Sequence, residues 1–186
     1  MTHTHTTSMP LTTSSLLASP PAEGEFDPYY QRYVDQVPAG EVLDTLEAQL
    51  PETVALLDRF GEARGGHRYA PGKWSVKQVV GHLADVERIF AYRALCAARG
   101  EQGGLPGFDE NAYVEEAGFD ARTLNSLLGE LTAVRRATLS LFRNLTEEQL
   151  ARRVTANGNP VTARALAWII AGHERHHARL LAERYL

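Results

Sequence analysis

Cysteine is nearly missing from this chain: Cys96 is the only one in 186 residues. One thiol excludes an intrachain disulfide framework and any multi-cysteine zinc or iron–sulfur site within a subunit, so a metal held here must be held mainly by histidine. Long apolar runs are missing too. No uninterrupted hydrophobic stretch approaches the ~20 residues of a membrane span. With 44% hydrophobic and 23% charged residues, the composition is that of a soluble globular chain, expected in the cytoplasm. Excess positive charge is also lacking. A formal charge of -4 and a pI near 6.0 offer no general attraction to phosphate backbones, so nucleic acid is not an expected partner. No glycine-rich phosphate loop leads into a helix-opening lysine, which leaves ATP chemistry without support.

What the chain does have is length for one domain and a helical pattern. Residues 1–25 are rich in Thr, Ser and Pro, without the basic start and apolar core of a secretory signal, and are expected to form a flexible N-terminal tail. His3 and His5 fall in it and are set aside as adventitious. Residues 26–186 are expected to form the domain, because apolar residues recur there at three- and four-residue spacing and no convincing alternating strand is found. After a short segment around residues 28–37, a helix is expected over about 40–60, with Val42, Leu43, Leu46, Leu50, Val54 and Leu57 in one stripe and Pro51 bending or dividing it. Ser75 and Gln78 form a capping-box pattern opening a second helix that runs to about Arg99. Asp120 is the expected cap of a third, ending near Asn144. Thr146 and Gln149 open a short segment by capping-box logic, residues 156–160 form a turn, and Thr162 starts the last helix. Four long amphipathic helices close most simply into an all-α, antiparallel four-helix bundle, whose facing helices can build a metal site in the core.

The last helix carries the segment GHERHHARLL, residues 172–181, where imidazoles occupy positions that the periodicity assigns to the core. At ~100° per residue, His177 lies ~40° from His173, and Leu166, Ile169, Ile170 and Leu180 surround the pair. His173 and His177 are the natural i,i+4 chelate. His176 lies ~60° to the other side and suits a supporting position beside the ligands better. A lone buried histidine is often satisfied by a carbonyl or carboxylate instead of a metal. A third imidazole strengthens the metal reading: His82 shares a stripe with Val79, Val86 and Ile89. Three histidines from two helices leave a coordination position open, as catalytic sites do.

The segments GKWSVKQVVGHLADVE and AGHERHHARLLAERYL resemble the DinB/YfiT-like superfamily of four-helix-bundle metalloproteins, a likeness covering nearly everything after the tail. The resemblance implies a metal triad of one histidine on the second helix and an HxxxH pair on the last, matching His82, His173 and His177. It also implies a nickel or zinc ion, a homodimer, and in some relatives activity with a low-molecular-weight thiol such as bacillithiol or mycothiol. The family name refers to DNA-damage induction, a stress response, and implies no chemistry on DNA.

Around the expected site, residues 100–119 make a long connection for a bundle, the kind of loop that often carries function. Phe108 and Tyr113 are candidates for an apolar wall, and Asp109 or Glu110 for a substrate or supporting contact; a loop tied to the bundle by its aromatics is the plainer alternative. Arg93, ~20° from His82 on the wheel, is placed to receive an anionic substrate or a thiol carboxylate, or to pair with a loop carboxylate. Glu174 and Asp85 read either as orienters of the imidazoles or as solvated helix residues and salt-bridge partners. Cys96, Trp74 and Trp168 read as packing residues. No residue is singled out as catalytic. The expected function is that of a divalent-metal-dependent enzyme acting on a small molecule, thiol S-transferase-like. Metal-dependent hydrolysis is the other enzymatic reading, and a noncatalytic metal-binding stress or interaction protein the competing class.

Overall fold

The computed structural model describes residues 15–186. The first fourteen residues of the expected tail, with His3 and His5, lie outside them. A single turn, α1 (Gln31–Val34), precedes the long helix α2 (Val42–Asp58). Then follow α3 (Val76–Arg99), the short α4 (Glu110–Glu116), α5 (Leu124–Arg143), α6 (Glu147–Ala151), the strands β1 (Arg153–Ala156) and β2 (Asn159–Thr162), and α7 (Ala163–Leu180), which ends in a wider turn to Tyr185. Among the described residues, no helix is long and apolar enough to cross a membrane.

The helix starts follow from local chemistry. Ser75 accepts the Gln78 amide at 3.0 Å while the Gln78 side chain accepts the Ser75 amide at 3.0 Å, and Thr146 and Gln149 repeat the box, so free first-turn donors are satisfied. Thr162 accepts from Ala165. α5 departs from expectation: its cap is Thr123, which accepts from Ser126 at 3.1 Å, and Asp120 instead binds Ser75 and Arg68 across the bundle. α2 runs unbroken through Pro51. The carbonyl that Pro51 leaves without a donor belongs to Glu47, on the solvent face, so losing that bond does not bury an unpaired acceptor.

Helices α2, α3, α5 and α7 form a four-helix bundle in which each packs on two others, in the ring order α2–α7–α3–α5. α3 and α5 run parallel, with Ser75 beside Asp120 at their starts and Glu87 bonded to Arg135 midway. α2 and α7 are also parallel, Gln49 meeting Ala171 while Leu56 and Ala182 line one groove further on. The α2/α5 and α3/α7 edges are antiparallel: Glu47 pairs with Arg143 whereas Glu62, just past α2, accepts the Leu124 amide. This arrangement accounts for the long connection after α3. To restart parallel to a 24-residue helix, about 36 Å long, the chain must return the length of the bundle, and residues 100–123 do so.

Two further expectations change. Residues 15–25 are not a flexible tail but pack on the domain. Leu17 is 2% exposed, and Glu25 pairs with Arg164 and accepts the Thr162 hydroxyl, so an apolar anchor and a part-buried ion pair outweigh the Ser/Pro-rich composition. The turn at residues 156–160 belongs to an antiparallel hairpin. Asn157 and Gly158 both take positive φ, 52° and 79°, the backbone that a two-residue hairpin turn requires. Leu105 pairs with the hairpin edge, its amide reaching Thr155 and its carbonyl Asn157, which fixes the long connection by backbone as well as by aromatics.

Candidate metal centre

α3 and α7 present their buried stripes to each other in opposite directions, and this brings His82, two turns into α3, against the end of α7. His82, His173 and His177 each offer a ring nitrogen, and the three lie within 4.8 Å of one another. The Nε2 atoms of His82 and His173 are 3.1 Å apart, close to the ~3.3 Å edge of a tetrahedral zinc–nitrogen set. Their chemistry suits a cation. Burial pushes His82 down to about 4, and burial first, then neighbouring imidazoles, hold His173 and His177 well below an ordinary histidine. All three therefore stay neutral near pH 7 with lone pairs available for ligation. The residues present fit a divalent ion.

Aromatic rings fix the imidazoles. Trp74 lies 4.6 Å from His82 and stacks at 6.4 Å on His177. It walls the site as well as packing, whereas Trp168 is wholly buried in the core. Tyr33 contacts both His173 and His176 edge-on at 5.4 Å. His176 is half-buried and outside the triad, its ring 5.2 Å from that of His177.

Behind the histidines is a network that the sequence reading missed. Arg135, 1% exposed, binds both Glu87 oxygens at 2.9 and 2.8 Å and Glu174 at 2.7 Å. Glu174 also accepts from Gln49 and Thr53, each at 2.7 Å. Glu174 is thus a buried salt-bridge partner and bonds to no imidazole, and Asp85 likewise pairs with Arg88. One guanidinium thus serves two buried carboxyl groups, one of them on the chain neighbour of His173. A void of about 10 Å³ lined by Glu87, Arg135, Glu174 and His173 separates the network from the imidazole, room for about one water. Periodicity hid these residues because it reads polar side chains as solvent-facing.

A cavity of about 400 Å³ adjoins the triad at His173, within the range of small-molecule sites. Arg93, Phe108 and Glu110 line it, with Tyr30 and Phe90. Of the remaining sequence candidates, Asp109 caps α4 through the Asn111 and Ala112 amides, and Tyr113 packs on Phe108 at 5.4 Å while half exposed. Neither lines the cavity. Cys96 is half-buried against the core. A second cavity of about 220 Å³ adjoins His177 and Trp74 on the other side.

The fold agrees with the comparisons. A sequence model of the DinB superfamily matches residues 45–181, so the chain belongs to the DinB superfamily. It is 26% identical over 151 residues to OB0413 of Oceanobacillus iheyensis, a proposed metal-dependent hydrolase, covering 76% of this chain and 86% of that one. YfiT from Bacillus subtilis, described as a proposed metal-dependent hydrolase with an unusual four-helix bundle topology, superposes with a TM-score of 0.66 at 21% identity over 91% of this chain and 95% of its own. The mycothiol-dependent maleylpyruvate isomerase superposes with a TM-score of 0.64 at 18% identity, over 78% of this chain and 61% of that larger one.

Proposed function

We propose that this protein is a divalent-metal-dependent enzyme that joins a low-molecular-weight thiol to a small electrophile, with His82, His173 and His177 holding the ion. The observation that carries this reading is the convergence of three neutral imidazoles, one of which, His173, lines a cavity of about 400 Å³, whereas a purely structural metal would be expected to sit in a closed shell. A bound ion at such a site acts as a Lewis acid and lowers the pKa of a thiol or water at its open position. The chain's own residues do the rest. The histidines ligate and are not nucleophiles; Trp74 and Tyr33 hold their rings; Phe90 and Phe108 supply an apolar wall to the cavity. The name of the maleylpyruvate isomerase favours a thiol, and those of OB0413 and YfiT favour hydrolysis as the second reading.

The family resemblance implies nickel or zinc, ions that imidazole nitrogens suit; in this reading a bacillithiol-like thiol is the cosubstrate, and the enzyme is a cytoplasmic homodimer. Metal analysis of the purified protein, followed by turnover of the nickel- and zinc-loaded forms with thiols and electrophiles, tests the reading. Thiol adducts are expected. Ester or amide cleavage without thiol would transfer the assignment to hydrolysis, and a protein that takes up no metal would end it. Light scattering decides the dimer.

A further inference from the structure

Three arginines are almost completely buried: Arg135 at 1%, Arg93 at 5% and Arg164 at 8% exposed. Arg135 has Glu87 and Glu174, and Arg164 has Glu25. Arg93 has no carboxylate within ion-pair distance among the described residues. Its guanidinium donates to the Pro106 carbonyl at 2.9 Å and reaches the Tyr30 hydroxyl. A guanidinium keeps its charge and offers five donors in a planar fork, so this pairing leaves a buried cation without a counter-ion.

The cation lies near two rings, 5.7 Å from the centroid of Phe90 and 5.8 Å from that of Phe108, in the wall of the cavity that adjoins His173. Phe90 and His173 are themselves 6.3 Å apart. Laid end to end, the two steps through Phe90 put guanidinium and imidazole no more than about 12 Å apart. Asp27 and Glu110 also line the cavity. Asp27 is bound to the Tyr29 amide at 2.8 Å, and Glu110 is exposed at the rim.

We propose that Arg93 is the anchor of a carboxylate-binding subsite for a small monoanion with a flat apolar body. The carboxylate accepts from Arg93 as a bidentate pair, the body lies along Phe90 and Phe108, and the far end points to His173. The rim carboxylates disfavour a second negative charge on the ligand. What happens at the far end rests on the triad being a reaction centre; the anchoring does not.

Calorimetric titration of the full chain, freed of metal with a chelator, tests the anchor with phenylacetate, phenylacetamide and phenylmalonate. Phenylacetate is expected to bind at least tenfold tighter than the other two. Arg93→Gln should lose at least tenfold for phenylacetate alone, and Arg93→Lys should recover part of it. Equal binding of acid and amide by the unaltered protein would overturn the proposal even if the variants failed to fold. So would phenylacetate binding that appears only after zinc is added, because the carboxylate would then be on the ion. Retained phenylacetate binding in a protein that takes up no metal would sink the metal reading and leave the anchor standing. In zinc-loaded protein, competition between 6-mercaptohexanoate and phenylacetate would assign the carboxylate to the thiol, and simultaneous binding would assign it to the electrophile; either result keeps the anchor.

Discussion

Glu174 binds Arg135 at 2.7 Å while its chain neighbour His173 reaches His82 at 3.1 Å. One turn of α7 thus joins a buried ion network to the candidate metal site. The network crosses all four long helices, because Arg135 on α5 also binds Glu87 on α3 and the Leu46 carbonyl on α2.

Removing the centre of this network should be costly. Arg135→Met leaves Glu87 and Glu174 buried without their cation, and breaking such a pair costs about 3–5 kcal/mol. Urea unfolding should show that loss. Combining it with Glu87→Gln and Glu174→Gln should recover most of it, since desolvated charge, not lost packing, dominates the penalty. A triple variant no more stable than Arg135→Met would show that the network contributes through packing.

His177 and His176 are sequence neighbours with different surroundings, and their variants should differ. His177→Ala removes one of three converging nitrogens and should abolish measurable zinc binding at neutral pH. His176→Ala removes a ring that packs on Tyr33 and His177, and supporting contacts of this kind are worth ~10–100-fold in affinity. Competition titration with a chromophoric chelator separates the two effects. An empty site in His176→Ala with unchanged affinity in His177→Ala would reassign the ligands.

The triad was readable in the sequence because His82, His173 and His177 interrupt otherwise apolar stripes, and both capping boxes were readable because their partners are three residues apart. The rest depended on distant contacts. Gln49, Thr53, Glu87, Arg135 and Glu174 look like solvent-facing helix residues until four helices are assembled. The hairpin strands have four residues each, too few for alternation to stand out, although Asn157–Gly158 was a usable turn signal. Asp120 and Thr123 are both good caps three residues apart, and only the pairing of Asp120 with Ser75 and Arg68 decides between them. Leu17 reads as tail because the stretch around it is rich in serine, threonine and proline, yet its side chain is core.

Stability of the metal-free protein should fall as pH drops from 6.5 to 5. Burial lowers His82 to about 4 and His173 and His177 well below their ordinary value, so below ~6.5 the unfolded chain binds protons that the folded one refuses. The histidine contribution is therefore complete above that pH and is lost as pH falls toward the folded values, by about 3 kcal/mol for His82 alone. Glu25 and Glu130, whose carboxyls are held low by arginine and hydrogen bonds against an opposing desolvation, add their own loss only below the ordinary carboxylate range. Glu41 and Asp85, raised by burial, act in the opposite sense and above the ordinary carboxylate range, where they offset part of the histidine loss. Urea midpoints measured between pH 7.5 and 5 follow chiefly the histidines, and bound zinc should flatten the upper part of the curve by holding them neutral. A metal-free midpoint that does not move across this window would contradict the burial of the triad.

The last prediction concerns Gly172, which precedes His173 and has no polar role. A Cβ built there would lie 2.0 Å from the Tyr33 carbonyl oxygen and 2.4 Å from its carbonyl carbon, so α1 rests directly on the backbone of α7. That contact places the Tyr33 ring edge-on to His173 and His176, both at 5.4 Å. In a free helix, replacing glycine by alanine is worth roughly 1 kcal/mol in favour of alanine. Here the clash is with backbone, which cannot swing aside like a side chain, and overpacking of a tight contact costs about 1–3 kcal/mol. Gly172→Ala should therefore destabilise the protein despite its better helix propensity, and weaken zinc binding by loosening the ring that supports two histidines. Gly129→Ala is the control, because it sits within α5 with open space around its missing Cβ and should be neutral or stabilising. Thermal melts and zinc titrations of the two variants decide the matter: equal stability would mean that α1 yields freely, and unchanged zinc affinity in Gly172→Ala would show that Tyr33 does not help to position the triad.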